Sequence, residues 1–473
     1  MDLPIYLDNH ATTRLDPRVL AAMLPYLAGQ VGNAGSTTHD YGRNARAAVD
    51  ASRESIAQIL NCDPAEIVFT SGATESNNLA IFGAARRTRR PGNHLISVAT
   101  EHRAVLDPLA ALTRDGYEPT LLDVAPAGHA RAGMLDLATL AAAIRPTTCL
   151  ISVMLANNEI GVIQPIREIA AICQEHGIPL HCDATQAVGK IPVDVRELGV
   201  DLLSFSGHKI YGPLGIGALF VRQTASGGKR LRLLPQIYGG GQEQGLRSGT
   251  LNVPGIVGLA TALKLCEAEM ANEIPRLAAL RGQLWRGIQQ IFPAAILNGP
   301  DIELDGVPGL ASLSSPVSHL SSPASPSGAT TGLTSSATIP GAANQMNVAP
   351  GLAPHPLPSP PAPPLPCSVA SLPSPVSLLP SPLTRLPGNL NVQFPGLAGE
   401  ALILQMPEIA ISSGSACTSA EPRPSHVLAA LGLSPEAVHA SLRFGLGRFN
   451  SAEDIELAVK SLKKGVQKLQ ALQ

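Results

Sequence analysis

The sequence predicts an α/β protein built on a doubly wound, mostly parallel sheet, with a second domain following it. From about Pro64, short apolar runs alternate with amphipathic ones, the pattern of strands crossed over by helices. Several apolar runs end in small polar turns, and a doubly wound sheet binds its ligands just outside the carboxyl ends of its strands. At 473 residues the chain also exceeds a single domain of roughly 150 residues.

Taken in order, seven strands are expected, over Glu66 to Phe69, His94 to Ala99, Leu121 to Val124, Cys149 to Leu155, Pro179 to Asp183, Asp201 to Phe205 and Ile216 to Val221. Helices are expected over Glu75 to Arg87 and Arg103 to Leu112, and further helices start near Leu135-Asp136 and Pro165. A long amphipathic stretch, Leu263 to Gln290, leads into the second domain.

The strand ends hold the residues of chemical interest. Thr70-Ser71-Gly72-Ala73-Thr74-Glu75 enters a helix, whose unpaired amides and dipole suit a phosphate, although Thr70 or Ser71 with Glu75 also reads as a capping box. Thr100-Glu101-His102 places a histidine where it either caps a helix or stacks on a planar cofactor and moves protons. Asn157-Asn158 are good turn formers whose amides also suit a phenolate oxygen. Asp183 ends a buried strand as a helix cap or as the partner of a pyridine nitrogen. At about 4 Å and an effective dielectric near 20, that second pairing is worth roughly 4 kcal/mol. Ser204-Phe205-Ser206-Gly207-His208-Lys209 sets a lysine in a small polar turn, poorly placed for packing and well placed to trap a carbonyl.

Composition excludes other classes. A formal charge of -2 with 15% charged residues offers no basic face for nucleic acid. No apolar stretch approaches the roughly 20 residues of a membrane span, and the N-terminus lacks the pattern of a signal peptide. The seven cysteines are scattered without a C-x-x-C pair, which argues for a reducing cytoplasm and against disulfides or zinc.

From Gly306 to Thr384 there is no Asp, Glu, Lys, Arg, Phe, Trp or Tyr, and the Pro/Ser-rich text predicts a disordered insertion. Lengthening a loop from about 10 to about 80 residues costs only about 2 kcal/mol in closure entropy. Beyond it, Cys417 stands in the Ser/Gly loop Ser412-Ser413-Gly414-Ser415-Ala416-Cys417-Thr418-Ser419, the setting of a nucleophilic thiol rather than a core cysteine. Arg443 lies in an apolar strand and should meet a carboxylate, from the protein or from a substrate.

Together, Thr70-Ser-Gly-Ala-Thr-Glu-Ser-Asn-Asn78, Ser204-Phe-Ser-Gly-His-Lys209 and Ser412-Ser-Gly-Ser-Ala-Cys-Thr-Ser419 resemble the cysteine desulfurases of the NifS/IscS type, in the class V aminotransferase group. The resemblance runs from Tyr6-Leu7-Asp8-Asn9-His10-Ala11-Thr12-Thr13 to about Phe449, interrupted by the insertion. It implies a fold-type I architecture. A large domain (16–255) would carry pyridoxal 5'-phosphate. A small α+β domain (256–305 and 385–473) would pack with the N-terminal segment (1–15), and residues 306–384 would be inserted between its two parts. It implies a cytoplasmic homodimer with active sites at the interface. Lys209 would bond the cofactor, His102 stack on its ring and Asp183 pair with the pyridine nitrogen. Asn158 and Gln186 would bond the ring oxygen. Ala73, Thr74, Ser206 and His208 would hold the phosphate, with Thr250 reaching over from the other subunit, and Arg443, assisted by Asn33, would grip the substrate carboxylate. The implied reaction takes sulfur from L-cysteine onto Cys417 as a persulfide and releases alanine. The sulfur then passes to an acceptor or iron–sulfur scaffold protein, where the persulfide would touch a cluster only transiently; no resident metal is implied. A selenocysteine lyase, or a non-catalytic interaction protein on the same fold, is the alternative.

Overall fold

A computed structural model describes residues 3–87, 92–223, 231–302, 383–413 and 424–472. The strands are β1 (Ile5–Tyr6), β2 (Ile67–Thr70), β3 (His94–Val98), β4 (Glu118–Leu122), β5 (Thr148–Ser152), β6 (Leu180–Asp183), β7 (Leu202–Ser206), β8 (Gly217–Val221), β9 (Ile296–Leu297), β10 (Asn389–Gln393), β11 (Ile409–Ala410) and β12 (Ser441–Gly445). The helices that matter below are α1 (Pro17–Ala28), α2 (Asp40–Leu60), α3 (Ala73–Ala85), α4 (Arg103–Leu112), α5 (Ile166–Glu175), α6 (Val253–Ile291), α7 (His426–Ala430) and α8 (Ala452–Gln470).

Seven strands form one sheet in the order β2-β8-β7-β6-β5-β3-β4. β8 runs antiparallel to both neighbours, and the remaining pairs are parallel. Successive side chains point to opposite faces, and the strands use both. Val68, Leu95, Leu150 and Leu202 join a core with α3 and α4, while Phe69, Ile96, Ile151 and Leu203 join a second core with α2, α5 and the first half of α6. The apolar runs are therefore continuous rather than alternating, because helices cover both faces.

A third core gathers Leu390, Val392, Leu442 and Phe444 of the three-stranded sheet β12-β10-β9 with Ile455, Leu462 and Val466 of α8. Leu280, Leu284 and Ile288 of α6 belong to it, whereas Val253, Ile256, Leu259 and Leu263 belong to a core of the large sheet. Within α6, therefore, residues up to Cys266 pack on the large sheet and residues from Leu280 onward pack on the three-stranded sheet. That helix begins ten residues before the expected Leu263, because the Asn252 side chain caps it by accepting from Gly255 N and Pro254 follows in its first turn.

Other boundaries also shift. α3 starts at Ala73 rather than Glu75, and β4 spans Glu118–Leu122 rather than Leu121 to Val124. Structure resumes before Arg385: the Thr384 carbonyl accepts from Ile163 N at 2.9 Å, so Thr384 belongs to the fold and not to the insertion. Most of the expected insertion, 306–382, lies outside the described residues.

The N-terminal segment ties the two sheets together. β1 pairs in parallel with β11, and Leu7 enters the third core. Thr13 N then donates to the His208 carbonyl at 2.8 Å, and Asp16 N to the Tyr211 carbonyl at 3.0 Å. No helix among the described residues is long and apolar enough to cross a membrane.

Candidate active site

The carboxyl ends of β2, β3, β5, β6 and β7 lie on one edge of the large sheet, since these five strands run the same way. A cavity of about 440 Å³ opens there, within the roughly 300–1,000 Å³ of small-ligand sites. Ala73, Thr74, His102, Asn158, Asp183, Gln186, Ser206, His208 and Lys209 all line it. Residues from five separate stretches of sequence therefore meet in one place.

The wall at the start of α3 is built for an anion. Gly72 has φ +151°, in the region that favours glycine, and α3 has no side-chain cap on its first amides, which face the cavity. A Cβ on Gly72 would stand 3.6 Å from Ser206 Oγ, an ordinary contact, so it is the positive φ that calls for glycine here. The capping-box alternative is half met: Glu75 accepts from Ser71 N at 2.7 Å, but neither Thr70 nor Ser71 caps the helix. Thr74, Ser206 and His208 complete the wall. Burial, then the charges of Lys209 and Lys190, push His208 down to about 4, so its imidazole is neutral and bonds Thr12 Oγ1 at 3.1 Å.

Asp183 closes β6 with both oxygens engaged, accepting from Asn77 Nδ2 at 2.8 Å and from Thr185 N at 3.0 Å. Across the cavity, Lys209 lies on the turn after β7, buried, and donates to the His10 and Ala11 carbonyls at 2.6 Å each. His102 serves as the N-cap of α4, accepting from Ala104 N at Nδ1, which leaves the ring's proton on Nε2. The cap and the cavity-lining position are held by the same side chain.

Three expected residues stand apart from this cavity. Asn33 is exposed and accepts from Gly35 N at 2.9 Å in its own turn. Thr250 is exposed and does not line its own chain's cavity. Arg443 is buried behind the wall, donating to Asp8 Oδ1 at 2.7 Å and to the Asn158 carbonyl at 3.2 Å; the carboxylate it meets here is Asp8. Cys417 lies outside the described residues.

Sequence reasoning passed over several supporting groups. Glu101 is fully buried, accepts from Met154 N at 2.5 Å, and is pushed well up by burial. Glu159, also buried, accepts from the Ser425 hydroxyl at the start of α7, and burial pushes it up to about 7. Among the described residues no cluster of three or more His, Cys, Asp or Glu could hold a metal ion.

The model of the class V aminotransferases matches residues 5–304. The cysteine desulfurase IscS of Anaeromyxobacter dehalogenans is 42% identical over 472 residues, covering 100% of this chain and 95% of that protein. The cysteine desulfurase IscS of Klebsiella pneumoniae is likewise 42% identical over 474 residues, with the same coverage. The chain belongs to the class V aminotransferase family. Among solved structures, a NifS-like protein aligns with TM-score 0.74 at 28% identity over 98% of this chain and all of its own. DndA from Streptomyces lividans aligns with TM-score 0.64 at 33% identity over 92% and 97%. The mixed sheet and flanking helices are those of fold-type I. The cofactor of these enzymes is pyridoxal 5'-phosphate, and the class V residues present fit it: an open helix start for its phosphate, an oriented carboxylate for its ring nitrogen and a buried lysine for its aldehyde.

Proposed function

We propose that this protein is a cysteine desulfurase that takes sulfur from L-cysteine, releases L-alanine and passes the sulfur from Cys417 to an acceptor or iron–sulfur scaffold protein. The convergence of Lys209, Asp183 and His102 on the open start of α3 carries this reading. Pyridoxal 5'-phosphate supplies the electron sink for carbanion chemistry at the substrate's α-carbon.

The chain's own residues do the rest. Ala73, Thr74, Ser206 and His208 hold the phosphate, and Asn158 and Gln186 hold the ring oxygen. Asp183, oriented by Asn77 and Thr185, keeps a proton on the ring nitrogen. His102 packs against the ring. Lys209 would anchor the cofactor through Nζ and, as a free amine, would take up and return the substrate's α-proton. Its position next to two backbone carbonyls gives its ammonium a resting place at that stage. Arg443, assisted by Asn33, receives the substrate carboxylate in exchange for Asp8. The Cys417 thiolate attacks the substrate sulfur; the C–S bond breaks with its electron pair going to the substrate's β-carbon, which takes up a proton and leaves as alanine, and the sulfur remains on Cys417 as a persulfide.

The assembly is a homodimer. Leu20, Leu24 and Leu27 expose 42%, 52% and 55% of their surface along one side of α1, and Tyr238 and Leu214 expose 77% and 76%. A second copy would cover such surface and bring the partner subunit's Thr250 to the phosphate. The division into a large cofactor domain and a small domain belongs to the same reading. The free cysteines buried at Cys149, Cys173, Cys182 and Cys266 suit a reducing, cytoplasmic setting.

The test is release of alanine and sulfide from L-cysteine by the wild type and Cys417→Ser with reductant present. Both products from the wild type, and a variant that stays yellow but stalls, are expected. Equal turnover by the two proteins would remove Cys417 as the sulfur carrier.

A further inference from the structure

Lys190 lies four residues after Gln186, in the turns that follow β6, and approaches the site from behind. Its Nζ donates to Gln186 Oε1 at 2.5 Å, and His10 Nδ1 lies 3.1 Å from the same oxygen. At the other end of that amide, Gln186 Nε2 donates to the His10 carbonyl at 2.9 Å. Lys209 Nζ donates to the same carbonyl at 2.6 Å. Lys190 and Lys209 are therefore the two ends of one hydrogen-bonded chain through Gln186 and His10.

That chain has a fixed polarity. An ammonium has three donors and no acceptor, so Lys190 requires oxygen at its end of the Gln186 amide and leaves the NH₂ end toward His10 O and the cavity. It is also a second positive charge beside the lysine that bonds the cofactor. The groups facing Lys190 are His10 from the N-terminal segment, Lys209 and His208 from the turn after β7, Cys266 and Glu273 from α6, and Arg443 from β12. The Glu273 carboxylate is taken by Arg448 at 3.0 Å, and burial pushes the Cys266 thiol up to about 12, leaving it uncharged near neutrality.

We propose that Lys190 is a positioning residue for Lys209, locking the Gln186 amide with its NH₂ group toward the cavity and, by its charge, opposing a proton on the nitrogen that bonds the cofactor. The inference rests on the cofactor reading above. Burial first, and the charge of Lys209 after it, push Lys190 down to about 7; the Lys209 contribution is present only while the Lys209 nitrogen is charged, so the two nitrogens compete for a proton. A neighbouring cation is an established way of favouring the uncharged form of a reactive lysine.

The experiment is a pH titration of the visible absorbance band of the cofactor-loaded protein, for the wild type and for Lys190→Met, Lys190→Gln and Lys190→Arg. Removing the charge should move the midpoint of the band's protonation upward by about one pH unit, in Met and Gln alike, so either neutral variant suffices if the other fails to fold. Lys190→Arg, which keeps the charge and the donors, should return the midpoint to within about 0.3 unit of the wild type. A wild-type midpoint in the neutral variants overturns the proposal, as does an Arg variant displaced as far as they are, because packing would then explain the effect. A wild type that shows no visible band with added pyridoxal 5'-phosphate overturns the cofactor reading itself and this inference with it.

Discussion

At the residue scale, Asp183 is oriented before any ligand arrives, since Asn77 and Thr185 hold one oxygen each. Asp183→Asn should keep the cavity's shape yet lower turnover about 10²- to 10³-fold, the range for removing one preorganised electrostatic contact; stopped-flow alanine formation checks it. Glu159 makes a prediction about stability. Burial raises its pKa from 4.5 to about 7 in the folded protein, so between those values the unfolded chain releases a proton that the folded chain retains. Its contribution is fully present below about pH 4.5 and is lost as pH rises to about 7, a swing of about 3 kcal/mol. Glu159→Gln, which stays neutral, should flatten that fall; denaturant midpoints measured from pH 5 to 8 for both proteins test it. Lys209 and Asp183 were legible in the sequence because a polar residue closing an apolar strand is unusual. Glu101, Glu159 and Lys190 were not, because an acid or lysine among small residues looks like surface until its burial is known.

At the element scale, the neck of the insertion is held by one buried side chain. Arg385 donates through Nη2 to the Asn298 and Pro300 carbonyls at 2.6 Å each, and through Nε to Pro300 O at 3.0 Å. The two ends of segment 303–382 are thus clamped within hydrogen-bonding reach. Replacing 303–382 with a short Gly/Ser linker should leave melting temperature and alanine formation close to the wild type. Cutting into Thr384 takes the acceptor from the Ile163 N–H, and replacing Arg385 with Ala takes the donor from the buried Asn298 and Pro300 carbonyls; each should destabilise, Arg385→Ala by about 3 kcal/mol, and thermal unfolding of the variants decides this. The expected insertion reaches Thr384 because its composition carries on to that point. Only the bridge between Val162 and Arg385 and the hydrogen bond beside it show that the Thr384 carbonyl already serves Ile163.

At the scale of the whole molecule, the apolar side of α1 faces solvent in the single chain. Leu24→Asp with Leu27→Asp places two charges on surface that a second copy would cover. If the proposed dimer forms through this face and brings the partner subunit's Thr250 to the phosphate, the double variant should sediment as a monomer and lose most of its activity. A dimer that persists with full activity would assign α1 to open surface.

The sequence by itself determined the doubly wound sheet, the order of its strands along the chain and the residues that close them, because apolar periodicity and strand-ending polar turns are local properties. It also determined the family, because the motifs around Thr70, Lys209 and Cys417 occur as a set. Only the tertiary structure decided which of those residues share a cavity. It brought nine of them together from strand ends far apart in sequence and left Asn33 and Thr250 outside. It also gave Arg443 an internal carboxylate in Asp8, 435 residues away, and set Lys190 behind Gln186. Pairing between distant segments and loss of solvent are properties of the packed chain, and they decide which charges meet and which protons move.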